Sequence, residues 1–85
     1  MIQWTVLSRA ECSLCEQLLE ELAEVLEPAE AAAVQVVDID QQPARDPTWL
    51  RKYGLRIPVL LADGEFVCDY RLDRERVQRL AAGPL

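Results

Sequence analysis

Residues 57–70, IPVLLADGEFVCDY, restrict the fold more than any other stretch of this 85-residue chain. Two apolar runs flank Asp63-Gly64, the kind of pair a two-residue type I′ turn favours, because both central residues there take positive φ. The stretch predicts an antiparallel hairpin. Two upstream segments decide what that hairpin joins. IQWTVLS (2–8) is uncharged and rich in β-formers, as a strand covered on both faces would be. From Cys12 the apolar period changes. Leu14, Leu18, Leu22, Val25 and Leu26 recur every three or four residues with glutamates opposite, which predicts an amphipathic helix. It should stop near Glu27, because Pro28 disfavours helical geometry in the residue before it.

AVQVVDID (33–40) reads as a second strand, entered from a loop that takes in the Ala-rich stretch at 29–33. Asp46 can then cap a short helix, with Pro47 at its first position and Gly54 at its exit. The chain ends in LDRERVQRLAA, where Asp73 is the expected N-cap and Leu72, Val77, Leu80 and Ala81 form an apolar stripe. The order is β-α-β-α-β-β-α. A strand–helix–strand start implies a right-handed crossover and a parallel pair, to which the hairpin adds antiparallel strands. The fold class expected is α/β: a four-stranded mixed sheet with helices on both faces, built as one domain over 1–85.

Composition narrows the function. Net charge is −6, and its distribution is lopsided. No Lys or Arg falls between Ala10 and Ala44, whereas Glu11, Glu16, Glu20, Glu21, Glu24, Glu27 and Glu30 all do. An acidic chain without a basic, aromatic-studded patch is a poor nucleic-acid binder, since phosphate neutralisation drives that affinity. No run approaches the roughly 18 to 20 apolar residues of a membrane span. The start, MIQWTVLSRAE, lacks the basic and apolar regions of a secretory signal, so the expected compartment is the cytosol, where thiols stay reduced.

Within that setting, Cys12 and Cys15 stand three residues apart where the helix begins. A closed structural zinc site needs about four Cys or His ligands. With no histidine and only Cys68 in addition, the chain does not supply them, so no metal is expected. Three cysteines cannot all pair in a disulfide scaffold. Redox chemistry fits better. At a helix start the backbone N–H groups are unsatisfied and the dipole is positive, which favours the thiolate, and the thiolate is the nucleophile. Cys15, one turn in, could attack a mixed disulfide formed on Cys12.

Arg56-Ile57-Pro58 opens the third strand, which would run antiparallel to the first and so begin beside the two thiols. Pro58 is either an ordinary trans proline opening a strand or a cis proline turning the backbone toward them. Cys68 also has two readings. A two-residue turn would pair Ala62 with Glu65 and set Val59 opposite Cys68, near the level of Pro58. Cys68 is then a third redox thiol or, as free cysteines more often are, a small buried hydrophobe.

Taken together, strand one, CSLC on the first helix, VVDID, RIPVLLADGEFV and the final helix resemble a minimal thioredoxin-fold protein of the glutaredoxin type. More narrowly, they resemble small bacterial glutaredoxin-like proteins of unassigned role. The resemblance implies thiol–disulfide exchange with Cys12 as nucleophile, Cys15 as resolving thiol and Pro58 as cis-proline. It implies that the Ile57 backbone pairs with an extended substrate, and that Arg9 meets a glutathione carboxylate. It implies no bound cofactor, and a protein disulfide or mixed disulfide as partner. The chain is expected to act as a monomer.

Three departures bear on that resemblance. Ser13-Leu14 stands where glutathione-using relatives carry Pro-Tyr or a similar dipeptide. Cys68-Asp69 replaces the Gly-Gly at which the γ-glutamyl group docks, adding bulk and a negative charge that argue against glutathione. Strand one lacks the buried carboxylate that thioredoxins place under the resolving cysteine, leaving Glu11 or Glu16, both more simply read as surface residues, for any proton relay. The competing function is a thioredoxin-fold binding module that holds a partner at the cis-proline edge without turnover.

Overall fold

A computed structural model describes residues 2–41 and 47–83. Four strands, β1 (Trp4–Ser8), β2 (Gln35–Asp38), β3 (Val59–Ala62) and β4 (Glu65–Asp69), form one sheet in the order β2-β1-β3-β4. β1 and β2 are parallel, while β3 runs antiparallel to both β1 and β4. Helices α1 (Ser13–Val25), α2 (Pro28–Ala32), α3 (Pro47–Tyr53) and α4 (Arg74–Ala82) complete it. This is a thioredoxin-like α/β arrangement. Among the described residues no helix is long and apolar enough to cross a membrane.

The uncharged β1 is covered on both sides. Trp4 and Val6 pack with Leu18 and Leu22 of α1, Leu60 and Val77 of α4. On the other face Leu7 packs with Val37, Val59, Leu61 and Tyr53 of α3. Burying a leucine such as Leu18 or Leu22 in full is worth about 1.5–3 kcal/mol. These two positions fix α1 against the sheet and with it the location of its first turn.

The hairpin forms as its sequence requires. Asp63 and Gly64 have φ of 51° and 84°, and Ala62 pairs with Glu65. The Asp63 side chain also accepts the Gln3 amide N–H at 2.8 Å, tying the turn to the start of β1. α4 starts as expected, with the Asp73 carboxylate accepting the Arg76 amide N–H at 3.1 Å.

Several expectations need correction. The Ala-rich stretch is not loop. Proline suits the first turn of a helix and alanine propagates it, so Pro28–Ala32 is α2, and the second strand shrinks from 33–40 to Gln35–Asp38. Leu80 of the α4 stripe is exposed, as is Leu14 of the α1 stripe. Val59 faces Asp69, not Cys68. A bulge lies between Leu60 and Leu61, so Leu61 pairs with Phe66 and Leu60 with Cys68, leaving Val67 as the extra residue. The helix-capping role read for Asp46 lies outside the described residues.

Candidate active site

The first wall of the site is the segment between β1 and α1. Glu11 takes a left-handed φ of 56°, reversing the chain so that Cys12 enters α1 as its extended N-cap residue. The Cys12 carbonyl accepts the Glu16 amide N–H at 3.2 Å. Its sulfur accepts the Cys15 amide N–H at 3.1 Å. That sulfur occupies the place a serine or aspartate oxygen takes at other helix starts, where negative charge is favoured. Cys12 and Cys15 are joined as a disulfide with Cα atoms 5.2 Å apart, an ordinary span for the bond. Cys12 is half-buried, whereas Cys15 is only 3% exposed. An attacking molecule therefore meets Cys12 first.

The second wall begins at β3. Leu7 pairs with Val59, so the residues just before β3 lie beside the end of β1. The Ile57–Pro58 peptide bond is cis. Pro58 is fully buried and Ile57 half-buried. Ile57 lines an open groove of about 300 Å³ together with Arg9, Ala10, Glu11, Cys12, Ser13 and Leu14. Leu14 left the core stripe because it belongs to this groove. Of the sequence-predicted residues, the fold thus gathers Arg9, Cys12 and Ile57 along one groove, with Cys15 disulfide-bonded to Cys12 and Pro58 next in chain to Ile57.

Arg9 does not stand free. Its Nε and Nη2 donate to the two Asp40 carboxylate oxygens at 2.7 and 3.2 Å, and its Nη1 donates to the Gly54 carbonyl at 3.0 Å. The hydrogen bond to Asp40 pushes Arg9 above its ordinary pKa, and the same bond holds Asp40 below the usual carboxylate value. Arg9 therefore ties the turn before Cys12 to the segments after β2 and after α3.

Asp69 is likewise engaged. Arg56 Nε donates to its Oδ2 at 2.7 Å, and the Arg56 guanidinium lies over the Phe66 ring, 4.5 Å from its centre. The negative charge expected to face a ligand is met by Arg56. Cys68 belongs to the core beneath α1 and α4, where burial raises its pKa despite an opposing Asp73 backbone hydrogen bond. Glu11 and Glu16 are exposed. Among the described residues no group of three or more His, Cys, Asp or Glu side chains is placed to hold a metal ion.

Three residues at the site were missed by reading the sequence: Asp40, Arg56 as the Asp69 partner, and Tyr70. The Tyr70 amide N–H donates to the Pro58 carbonyl at 2.9 Å, and its hydroxyl donates to the Leu55 carbonyl at 2.8 Å. Each is a long-range pairing of a surface residue, and neither periodicity nor a local motif announces such pairings.

The chain is similar in fold and sequence to a solved structure and matches a family model. An X-ray structure of a structural-genomics target protein from X. campestris is 34% identical, superposes with a TM-score of 0.67, and is matched over 95% of this chain and 99% of that one. No curated protein matches the chain. The family described as Glutaredoxin-like domain (DUF836) matches residues 3–80. With a CxxC pair at the tip of α1 and this match over nearly the whole sequence, the chain belongs to that glutaredoxin-like family.

Proposed function

We propose that the protein is a thiol–disulfide oxidoreductase that reduces disulfides carried by polypeptides. One observation carries the reading: a half-buried Cys12 sulfur that accepts the Cys15 amide N–H at the N-cap of α1, paired with a buried Cys15. Hydrogen bonding and the helix dipole stabilise the Cys12 thiolate in the reduced protein. That thiolate attacks one sulfur of a substrate disulfide. The substrate S–S bond breaks, a mixed disulfide with Cys12 forms, and the expelled thiolate takes up a proton. Cys15 then loses its proton and attacks Cys12, releasing the second substrate thiolate, which is protonated in turn. Two electrons and two protons have passed to the substrate, and Cys12–Cys15 is left as the disulfide. A thiol or dithiol reductant must restore the pair.

The test is the variant Cys15→Ser, which lacks the resolving thiol. It should accumulate a mixed disulfide on Cys12, read as an intact-mass adduct that dithiothreitol removes. A chain in which Cys12 forms no adduct is a binding module, not an oxidoreductase.

Glutathione is a poor substrate in this reading. Arg9, which the resemblance would offer to a carboxylate, is spent on Asp40 and the Gly54 carbonyl. Asp69 puts a side chain, held by Arg56, where the resemblance calls for bare glycine backbone, while Cys68 packs into the core beneath α1 and α4 and adds no bulk on the ligand side. Charge repulsion by Asp69 is a lesser factor, because Arg56 neutralises it. A glutathione-coupled disulfide assay should show weak turnover. Turnover equal to that of an ordinary glutaredoxin would overturn the substrate assignment while leaving the exchange chemistry standing.

A further inference from the structure

The segment leading into the cis peptide is held in an unusual way. Leu55 is 93% exposed, so apolar packing of its side chain contributes almost nothing to placing it. Burial of Pro58 and the packing of Ile57 hold the far end of the segment, while hydrogen bonds and one ion pair fix the end at Leu55 and Arg56. Its own turn supplies one, from the Arg56 amide N–H to the Tyr53 carbonyl at 2.8 Å. The others come from two consecutive residues at the end of β4. Asp69 holds the Arg56 guanidinium. Tyr70 donates its backbone N–H to the Pro58 carbonyl and its hydroxyl to the Leu55 carbonyl, gripping the segment at both ends.

Tyr70 adopts a backbone conformation that a bulky residue takes only against a steric penalty, with φ of 61°. An outlier of this kind persists where the surroundings over-determine it, and it points toward function more often than toward accident. Two bonds to one short segment are what the conformation secures. Neither of them uses the N–H or carbonyl of Ile57, the residue between the two anchored positions that shares the groove with Cys12.

We propose that Tyr70 is a positioning residue: it holds the Leu55–Pro58 segment so that the Ile57 backbone stands ready beside Cys12, and thereby sets a preference for disulfides borne by a polypeptide over small disulfides. The inference rests on the exchange chemistry proposed above. A polypeptide next to its disulfide carries backbone groups that can pair with Ile57, and a small disulfide without amide groups, such as hydroxyethyl disulfide, carries none. With the hydroxyl anchor gone, the exposed Leu55 end of the segment samples more orientations and loosens the backbone leading into Ile57, and a polypeptide must meet the ordering cost on binding. Attack by Cys12 on a small disulfide has no such dependence.

The variant Tyr70→Phe removes one hydroxyl and keeps the ring and the backbone bond. Two probes with the same leaving group separate the effects. One is a short end-blocked peptide whose single cysteine is in disulfide linkage with 2-mercaptoethanol, and the other is hydroxyethyl disulfide. The expected result is a roughly three- to tenfold fall in kcat/KM for the peptide, the size of one hydrogen bond, carried mainly by KM. Exchange with hydroxyethyl disulfide and the Cys12 titration midpoint should stay as in the parent protein. An equal fall for both probes, a shift of the Cys12 midpoint, or an unchanged peptide KM would overturn the role of Tyr70. A parent protein that reacts with neither probe would instead remove the exchange chemistry, and this inference with it.

Discussion

At the tip of α1 the Cys12 sulfur sits half-buried on a groove, its lone pair taken by the Cys15 amide N–H. On β4 the Cys68 sulfur is 8% exposed, packed among Trp4, Leu18, Leu60 and Val77. Once the Cys12–Cys15 disulfide is reduced, the two side chains are chemically identical. Around Cys12 the unsatisfied amides of a helix start favour negative charge; around Cys68, desolvation opposes it and pushes the pKa up. The difference teaches that the electrostatic setting of a sulfur here belongs to the backbone position and not to the residue type. α1 supplies a field; β4 supplies only a hole of the right size.

Substituting serine at each position should separate the two environments most sharply. Cys12→Ser keeps an N-cap, since a serine oxygen accepts the same amide N–H, so the fold should lose little. Its hydroxyl is no substitute for a thiolate, and disulfide exchange should fall to the uncatalysed rate. Cys68→Ser should do the reverse. Exchange survives, while a hydroxyl brought into an apolar cluster lowers stability by about 1–3 kcal/mol. Urea unfolding and an exchange assay on the two variants check both halves. Loss of exchange in Cys68→Ser without loss of structure would place Cys68 in the chemistry after all.

How far this contrast was legible in advance depended on whether the signal was local. The CxxC pair, the change from strand to helix at Cys12, the Asp63-Gly64 turn and the Asp73 cap are all written within a few residues, and each appears where the sequence puts it. The position of Cys68 was not so readable. Counting back from the turn places it opposite Val59, but the bulge at Val67 shifts it to Leu60. A bulge answers to strain across the whole sheet, and nothing in FVCD marks it. α2 failed for a different reason: five residues are too few for an amphipathic period to show. The arginine pairings failed for a third. Arg9 meets Asp40 across 31 positions and Arg56 meets Asp69 across 13, distances over which sequence carries no register. Arg9 consequently looked like a free cation, whereas its guanidinium is already engaged by Asp40 and the Gly54 carbonyl.

The smallest expected effect tests the environment of Cys68 directly, in the oxidised protein, where Cys12 and Cys15 are joined and do not titrate. Burial raises the Cys68 pKa in the folded state above its value in the unfolded chain. Below the unfolded value both states hold the proton, and the preference of the folded state for the neutral thiol contributes in full. As pH rises past that value the unfolded chain releases its proton first. It then binds fewer protons than the folded state, so the slope of unfolding free energy against pH is negative and stability is lost. The loss continues until the folded-state pKa is passed. Cys68→Ala removes this dependence. Its stability at neutral pH should be lower, because a small cavity replaces the sulfur. The gap to the parent protein should then narrow as pH is raised through the alkaline range. Paired urea melts at neutral and alkaline pH measure that gap. A gap that stays constant would mean that Cys68 ionises as readily in the fold as out of it, and the contrast between the two thiol environments would fail.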